Sequence, residues 1–223
     1  MTDTDFSFDN NLYICKVTAD KKKCPTYLRS IPAVAQLFDR GIGFKKRITV
    51  FMGENGIGKS TLLEAIAAAY GFNPEGGTRN FSFSTYNSHS ELYGALKLSR
   101  GGYPKDGFFL RAESFYNVAS EIERLDNIPA ASPPIIDGYG GVSLHEQSHG
   151  ESFMALAMNR FRGHGLYILD EPEAALSPTA QMALLARLYE LARNDSQLII
   201  ATHSVIILSL IHISEPTRLR RIS

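Results

Sequence analysis

The stretch Gly53-Glu54-Asn55-Gly56-Ile57-Gly58-Lys59-Ser60-Thr61 fits the pattern G-x-x-x-x-G-K-[ST]. Its glycines let consecutive backbone N–H groups point at phosphate oxygens, and a following helix N-terminus favours the same negative charge. In this pattern the lysine reaches the β- and γ-phosphates, and the next hydroxyl binds Mg²⁺. A buried-strand pattern, Arg47-Ile-Thr-Val-Phe-Met, precedes the loop, and a Leu- and Ala-rich helix pattern ends at Tyr70. We therefore predict that all nine residues bind a nucleoside triphosphate, with Lys59 catalytic and Ser60 on the metal. A glycine-rich turn with a surface lysine is the alternative.

Two carboxylates end a second buried-strand pattern. Leu166-Tyr-Ile-Leu is followed at once by Asp170 and Glu171. The carboxyl ends of strands are where ligands bind in open α/β sheets. We predict that Asp170 holds Mg²⁺ through water and that Glu171 polarises the attacking water as the general base. The alternative is that Asp-Glu-Pro caps the next helix.

Two further segments carry chemistry in the second half of the chain. The strand pattern Leu198-Ile-Ile-Ala-Thr ends at His203, whose imidazole can hydrogen-bond a γ-phosphate and sense its loss. We predict a catalytic role for His203, with a structural histidine as the alternative.

The segment Ser148-His-Gly-Glu-Ser opens a helix pattern after a Gly-rich loop. It would place the Ser148 hydroxyl and the backbone of Gly150 against a γ-phosphate bound by a second chain.

The overlapping stretch His145-Glu146-Gln147-Ser148-His149 also fits H-E-x-x-H, the zinc protease motif. That chemistry needs both histidines on one face of a continuous helix, together with a third ligand. Gly140 and Gly141 lie upstream, and Gly150 follows His149 immediately. We therefore predict that the segment lies at a helix start, and zinc hydrolysis is kept only as an alternative.

With these four segments in this order, the chain resembles the ABC-type ATPases. It looks most like the stand-alone bacterial ATPases of the RecF, SMC and AAA_21 groups. The likeness covers roughly residues 12–204 and is carried by Gly53–Ala67, Phe108–Asn117 and Leu169–Pro178. The resemblance implies that ATP and Mg²⁺ are bound and that an ATP-dependent homodimer forms. In that dimer Ser148 and Gly150 of one chain would meet the nucleotide site of the other.

The chain also departs from the family pattern. It reads Ser148-His-Gly-Glu-Ser where transporter ATPases typically read L-S-G-G-Q, and no Gln between Thr61 and Glu146 can serve as the usual loop glutamine. Glu113, at a predicted strand end, is our candidate metal ligand for that position. Ser177 stands where many relatives carry Asp. The resemblance therefore implies slow hydrolysis and argues against transporter coupling, and the absence of heptads between Thr61 and Ser148 indicates a head without a coiled-coil arm.

Strand patterns alternate with helix patterns, which predicts an α/β fold. We expect a P-loop NTPase of the ABC ATPase type, with a mostly parallel central sheet flanked by helices and an N-terminal antiparallel β portion. Besides the segments above, we expect strands at 12–17, 27–31 and 107–112 and helices at 33–38, 114–125, 151–162 and 179–193.

We expect residues 1–204 to form the ATPase domain and treat residues 205–223 as a doubtful tail. Ile211–Ser223 looks like translated sequencing-adaptor read-through, and a native basic tail is the alternative.

The composition of the chain limits its domain count and the kinds of partner that it predicts. At 223 residues and 44% hydrophobic residues, the chain can bury the core of one domain plus a tail. Its formal net charge of zero gives no general attraction to nucleic acid, so a DNA contact would need a local patch such as Lys21–Lys23. Two cysteines without metal-site spacing predict reduced thiols and a cytoplasmic location. No apolar run reaches the length of a membrane span, so if the protein works at a membrane, another subunit supplies the span.

The partner and the biological process stay open. We predict a molecular switch in which ATP holds a homodimer closed and hydrolysis releases it, acting on an unknown protein or nucleic acid. Two alternatives remain: the ATP-binding subunit of an ABC transporter, and an ATPase module in DNA repair or defence. The residue that contacts adenine is also open, and Tyr27 is one candidate.

Overall fold

The computed structural model describes residues 12–79, 91–129 and 133–209, together with the backbone of 217–221. The strands are β1 (Ile14–Ala19), β2 (Ile42–Gly43), β3 (Ile48–Met52), β4 (Leu96–Arg100), β5 (Asp106–Arg111), β6 (Gly165–Asp170), β7 (Gln197–Ala201) and β8 (Thr217–Arg221). The helices are α1 (Pro32–Asp39), α2 (Lys59–Tyr70), α3 (Phe115–Asp126), α4 (His149–Ala155), α5 (Pro178–Arg193) and α6 (Val205–Leu208). Short 3₁₀ turns and one π-helical turn, Leu156–Arg160, connect them.

A five-stranded sheet in the order β5-β6-β7-β3-β8 forms the centre of the protein, and all of its pairings are parallel. The register pairs Asp170 with Ala201 and Phe51 with Ala201. The carboxyl ends of β6, β7 and β3 therefore lie side by side. The P-loop segment follows β3, Asp170 and Glu171 lie at the end of β6, and His203 follows β7, so the sheet brings these three of the four segments together.

Side chains alternate between two cores along the sheet, because successive residues of a strand point to opposite faces. Tyr167 and Leu169 of β6 lie in the cluster that α3, α4 and α5 cover. Leu166 and Ile168 lie in the cluster shared with α2 and the N-terminal strands. Every residue of β6 is buried. The strand is thus covered on both faces, as parallel sheets require.

An antiparallel sheet in the order β2-β1-β4 packs on the α2 side. The buried side chain of Gln197 joins it to the parallel sheet. Its Oε1 accepts hydrogen bonds from the backbone N–H groups of Tyr13 and Ile14, each at 2.8 Å, and its Nε2 donates to the Ile14 carbonyl at 2.9 Å. The predicted α/β class, with a parallel sheet flanked by helices and an antiparallel portion, is confirmed.

The strand predicted at residues 27–31 is wrong. Thr26–Leu28 forms a 3₁₀ turn, and α1 begins at Pro32. Prolines bracket the segment, and the guanidinium of Arg29 donates to the Cys24 carbonyl from Nε at 2.9 Å and from Nη2 at 2.7 Å. Local turn bonds therefore override the apolar pattern. The helix predicted at 151–162 instead begins at His149 and changes to a π-turn after Ala155.

The C-terminal residues contain one described strand. β8 pairs in parallel with β3 along Ile48–Met52 and lies at the edge of the sheet. The rest of the segment interpreted as read-through, 211–216 and 222–223, lies outside the described residues. The domain boundary at residue 204 therefore stays a prediction. No helix in the described part of the chain combines the length and the apolar character needed to cross a membrane.

Candidate active site

The loop between β3 and α2 takes a conformation that depends on its glycines. Gly56 and Gly58 have φ angles of 79° and 94°, in the left-handed region that residues with a side chain rarely adopt. Gly58 is also the N-cap of α2, and no side chain caps that helix. The first N–H groups of α2 therefore open toward the loop, which is the arrangement that binds a phosphate.

Gly58→Ala tests this loop geometry. An added Cβ would lie 2.2 Å from Cγ2 of Ile31 in a backbone region already unfavourable for alanine, so we expect a loss of about 1–3 kcal/mol of stability. Gly94→Ala is the matched control, because nothing lies within 4 Å of its added Cβ. Thermal unfolding by circular dichroism compares the two variants. Equal melting temperatures would contradict the observed loop conformation.

The side chain of Lys59 folds back over this loop. Its ammonium donates to the carbonyls of Gly53 at 2.9 Å and Glu54 at 3.0 Å, and the residue is only 5% exposed. Burial lowers the pKa of Lys59, while the charges of Glu171 and Asp170 act in the opposite direction. Lys59 is therefore not a surface lysine: its cation lies inside the loop with carboxylates around it.

Ser60 and Asp170 meet across the space between the loop and β6. The Ser60 hydroxyl donates to Oδ1 of Asp170 at 3.1 Å. Burial raises the pKa of Asp170 to about 6, although the Ser60 hydrogen bond and the charge of Arg111 lower it. A hydroxyl and a carboxylate are the oxygen ligands that Mg²⁺ prefers, and a buried carboxylate that favours protonation is one that a divalent cation would stabilise. The pair therefore fits a Mg²⁺ ion.

Glu171 and His203 face each other at the ends of β6 and β7. Glu171 has a φ of 49°, an uncommon value for a residue with a side chain, and its N–H donates to the Ala201 carbonyl at 2.9 Å. Its Oε1 lies 3.5 Å from Nε2 of His203. These two side chains and the loop border one cavity of about 560 Å³, lined by Ile31, Asn55, Gly56, Gly58, Lys59, Ser60, Thr61, Glu171 and His203. The predicted base, the lysine and Ser60, which bonds Asp170, thus border or adjoin one space.

Two family models match the chain. The AAA_23 model, described as "AAA domain", matches residues 30–120, which include the loop. The AAA_21 model, described as "AAA domain, putative AbiEii toxin, Type IV TA system", matches residues 135–209, which include Asp170, Glu171 and His203. These matches support an AAA/ABC-type P-loop ATPase. No curated protein matches the chain.

Solved structures that match the chain include an ATP-binding protein and an SMC head domain. The "Putative ABC transporter (ATP-binding protein)" of Pyrococcus furiosus is 18% identical, and the match covers 82% of this chain and 88% of that one with a TM-score of 0.41. The SMC head domain of Thermotoga maritima is 16% identical, with coverage of 93% and 94% and a TM-score of 0.43. At this distance neither likeness bears on substrate or partner.

Glu113, the predicted metal ligand, lies in the 3₁₀ turn after β5. Its carboxylate is mostly exposed and accepts a hydrogen bond from Arg111 Nη2 at 3.1 Å. Arg111 Nη1 also donates to Glu64 Oε2 on α2 at 2.6 Å. Glu113 is not among the described residues that line the cavity. Sequence reasoning missed Arg111, although it ends β5 directly opposite Asp170 in the sheet register.

Ser148 and Gly150 stand apart from the P-loop of their own chain, the segment Gly53–Thr61 between β3 and α2. Ser148 caps α4: its Oγ donates to Glu151 Oε2 at 2.6 Å, and the Glu151 N–H donates back to it at 3.3 Å. An added Cβ on Gly150 would lie 2.8 Å from the Ala175 carbonyl. Neither residue is among the described ones that line the cavity. The structure therefore does not bring them to the site within one chain.

The H-E-x-x-H segment does not form one helical face. α4 begins at His149, so His145 lies in the preceding loop, and the predicted position at a helix start is confirmed. His145 Nε2 lies 3.2 Å from Ser120 Oγ, and its ring centroid is 4.4 Å from that of Tyr116 on α3. Within the described ranges, no group of three His, Cys, Asp or Glu side chains is placed to hold a metal ion.

Proposed function

We propose that this chain binds Mg²⁺-ATP in the cavity beside the P-loop and hydrolyses the bond to the γ-phosphate. One observation carries the proposal. The strand order β6-β7-β3 brings Lys59, Ser60 and the Glu171–His203 pair to the lining of one cavity, and Ser60 forms a pair with the buried Asp170 through a hydrogen bond. Each pair contributes a different part of phosphoryl-transfer chemistry, and the family matches are independent of this geometry.

The residues divide the chemistry among them. Ser60 and Asp170 would hold Mg²⁺, which supplies positive charge to the phosphate oxygens when bound. The Lys59 ammonium and the loop N–H groups bind the phosphates. Glu171 orients and deprotonates the attacking water, and His203 donates a hydrogen bond to the γ-phosphate. Glu113 remains our candidate for an additional metal contact, at the edge of the site.

A second copy of the chain would complete the site. Ser148 is exposed and lies outside the cavity of its own chain, which leaves its hydroxyl accessible to another molecule. In the proposed homodimer, Ser148 and Gly150 of one protomer contact the γ-phosphate bound by its partner. ATP then holds the dimer closed, and hydrolysis releases it. The output of this switch, a protein or a nucleic acid, and its cytoplasmic location stay predictions.

Lys59→Ala tests the site assignment. Because it removes the buried cation of the P-loop, we expect ATP affinity to fall by at least about 100-fold and hydrolysis to reach background. Lys97→Ala is the control, since Lys97 is exposed on β4. Isothermal titration and phosphate release measure the two effects. If Lys59→Ala binds ATP as tightly as Lys97→Ala, the assignment is wrong.

A further inference from the structure

We propose that Glu173 is a positioning residue that fixes His203 relative to Glu171 and so sets the rate of γ-phosphate cleavage without binding ATP. The inference rests on the proposed function and adds a residue to it. Glu173 lies two positions after the predicted base, in the turn that follows β6. Sequence reasoning assigned it no role, and it is not among the described residues that line the cavity.

One carboxylate oxygen of Glu173 holds the whole loop after β7. Oε1 accepts hydrogen bonds from Thr202 Oγ1 at 2.6 Å, from the His203 N–H at 2.7 Å and from the Ser204 N–H at 3.0 Å. An anionic acceptor makes such bonds shorter and stronger than a neutral one. The backbone at His203 therefore depends on a side chain about 30 residues away in sequence.

The backbone of the turn after β6 also forms a hydrogen bond with the end of β7. The Glu171 N–H donates to the Ala201 carbonyl at 2.9 Å, and the Ala174 N–H closes a turn onto the Glu171 carbonyl at 3.1 Å. Glu171 and Glu173 thus both bind the segment that carries His203, one through its backbone and one through its carboxylate. This double attachment fixes the 3.5 Å separation between Glu171 Oε1 and His203 Nε2.

The loop has further support that does not involve Glu173. Ser204 Oγ donates to Gln181 Oε1 at 2.6 Å and accepts from the Ile207 N–H at 3.2 Å, which caps α6. Loss of the carboxylate should therefore displace His203 without unfolding the segment. A displacement of about 1 Å at a reacting group can cost as much as 100-fold in rate.

The second oxygen makes glutamine an imperfect substitute. Glu173 Oε2 is buried and has no hydrogen-bond partner among the described residues. In Glu173→Gln an amide NH₂ would take that place, equally unpaired, and the remaining oxygen would be neutral and so a weaker acceptor than the anionic one. The retained Oε1 can still accept from the loop. We therefore expect Glu173→Gln to fall between the wild type and Glu173→Ala.

Steady-state ATP hydrolysis tests the proposal. We expect Glu173→Ala to lower kcat by about 10- to 100-fold, with ATP affinity changed by less than about threefold because the P-loop contacts remain. In a double-mutant cycle, adding Glu173→Ala to the His203→Ala variant should lower kcat no further, because Glu173 acts through His203. Glu190→Ala is the matched control: this exposed carboxylate pairs with Arg187 on α5, and its loss should leave kcat unchanged.

The outcomes separate the two proposals. A wild-type protein that hydrolyses no ATP overturns the proposed function and the role of Glu173 with it. If the wild type hydrolyses ATP and the Glu173→Ala variant has the same kcat, only the positioning role is overturned. Fully multiplicative effects of the two substitutions also overturn it, as does a loss of ATP affinity equal to the loss of kcat. A kcat defect that vanishes in the His203→Ala background, with partial recovery in Glu173→Gln, supports it.

Discussion

Glu171→Gln should turn the protein into an ATP-trapped dimer. The amide keeps the size of the side chain and one acceptor oxygen but cannot take a proton from water, so we expect hydrolysis to fall by about 100-fold or more. ATP binding through the P-loop should persist, because Glu171 makes no bond to Lys59 or Ser60 among the described contacts. If ATP holds two protomers together, the closed dimer then accumulates. Solution mass from light scattering, with and without Mg²⁺-ATP, measures it directly.

A second substitution locates the dimer surface. Ser148→Arg in the Glu171→Gln background should preserve ATP binding and abolish the dimer, because Ser148 lies outside the cavity of its own chain. The lost cap of α4 costs about 1 kcal/mol, which a thermal melt separates from the dimer effect. A Glu171→Gln protein that stays monomeric at saturating ATP would overturn the homodimer and leave the P-loop assignment in place.

The elements that the sequence predicted are those with local causes. A strand, a glycine loop and a helix follow one another within Ile48–Tyr70, so neighbouring residues determine the P-loop. The strand-end rule then placed Asp170 and Glu171 correctly beside it, since parallel strands share one edge. Residues 27–31 have a strand-like apolar pattern, but prolines and the side-chain bonds of Arg29 produce a turn there.

The missed residues act through contacts that no local pattern encodes. Glu173 reaches Thr202 across 29 positions, and Arg111 reaches Glu64 across 47. Each is a charged side chain at a strand end, which is a signal that sequence reasoning used for Asp170 and not for them. The partner of such a charge depends on strand order, and strand order is a property of the folded sheet. Charged residues within about three positions of a predicted strand end are therefore worth testing as a group.

Asp170→Asn should make the ligand-free protein more stable at pH 8, although it removes a predicted magnesium ligand. Burial raises the pKa of the Asp170 carboxyl to about 6, above its value near 4 in an unfolded chain. The folded state therefore binds this proton more tightly, and the free energy of unfolding falls as pH rises from about 4 to about 6. A shift of roughly two pKa units corresponds to about 3 kcal/mol, an upper bound on what the neutral amide recovers. Asparagine can keep the hydrogen bond from Ser60.

Melting temperatures between pH 4 and pH 8 give this difference directly. The stabilisation by Asp170→Asn should be largest at pH 8 and become small near pH 4, where the wild-type carboxyl is protonated in the folded state and about half protonated in the unfolded chain. Asp195→Asn is the matched control: that residue is half-exposed, pairs with Arg47 at 2.6 Å and has a φ of 57° that asparagine tolerates. Its loss should leave stability unchanged or slightly lower. Saturating Mg²⁺-ATP should make the wild type more stable than Asp170→Asn, because only the wild type gains the full binding free energy of the ion. A variant less stable than the wild type at pH 8 without ligand would show that Asp170 stabilises the fold by itself, and the argument that its burial prepares a cation site would fail.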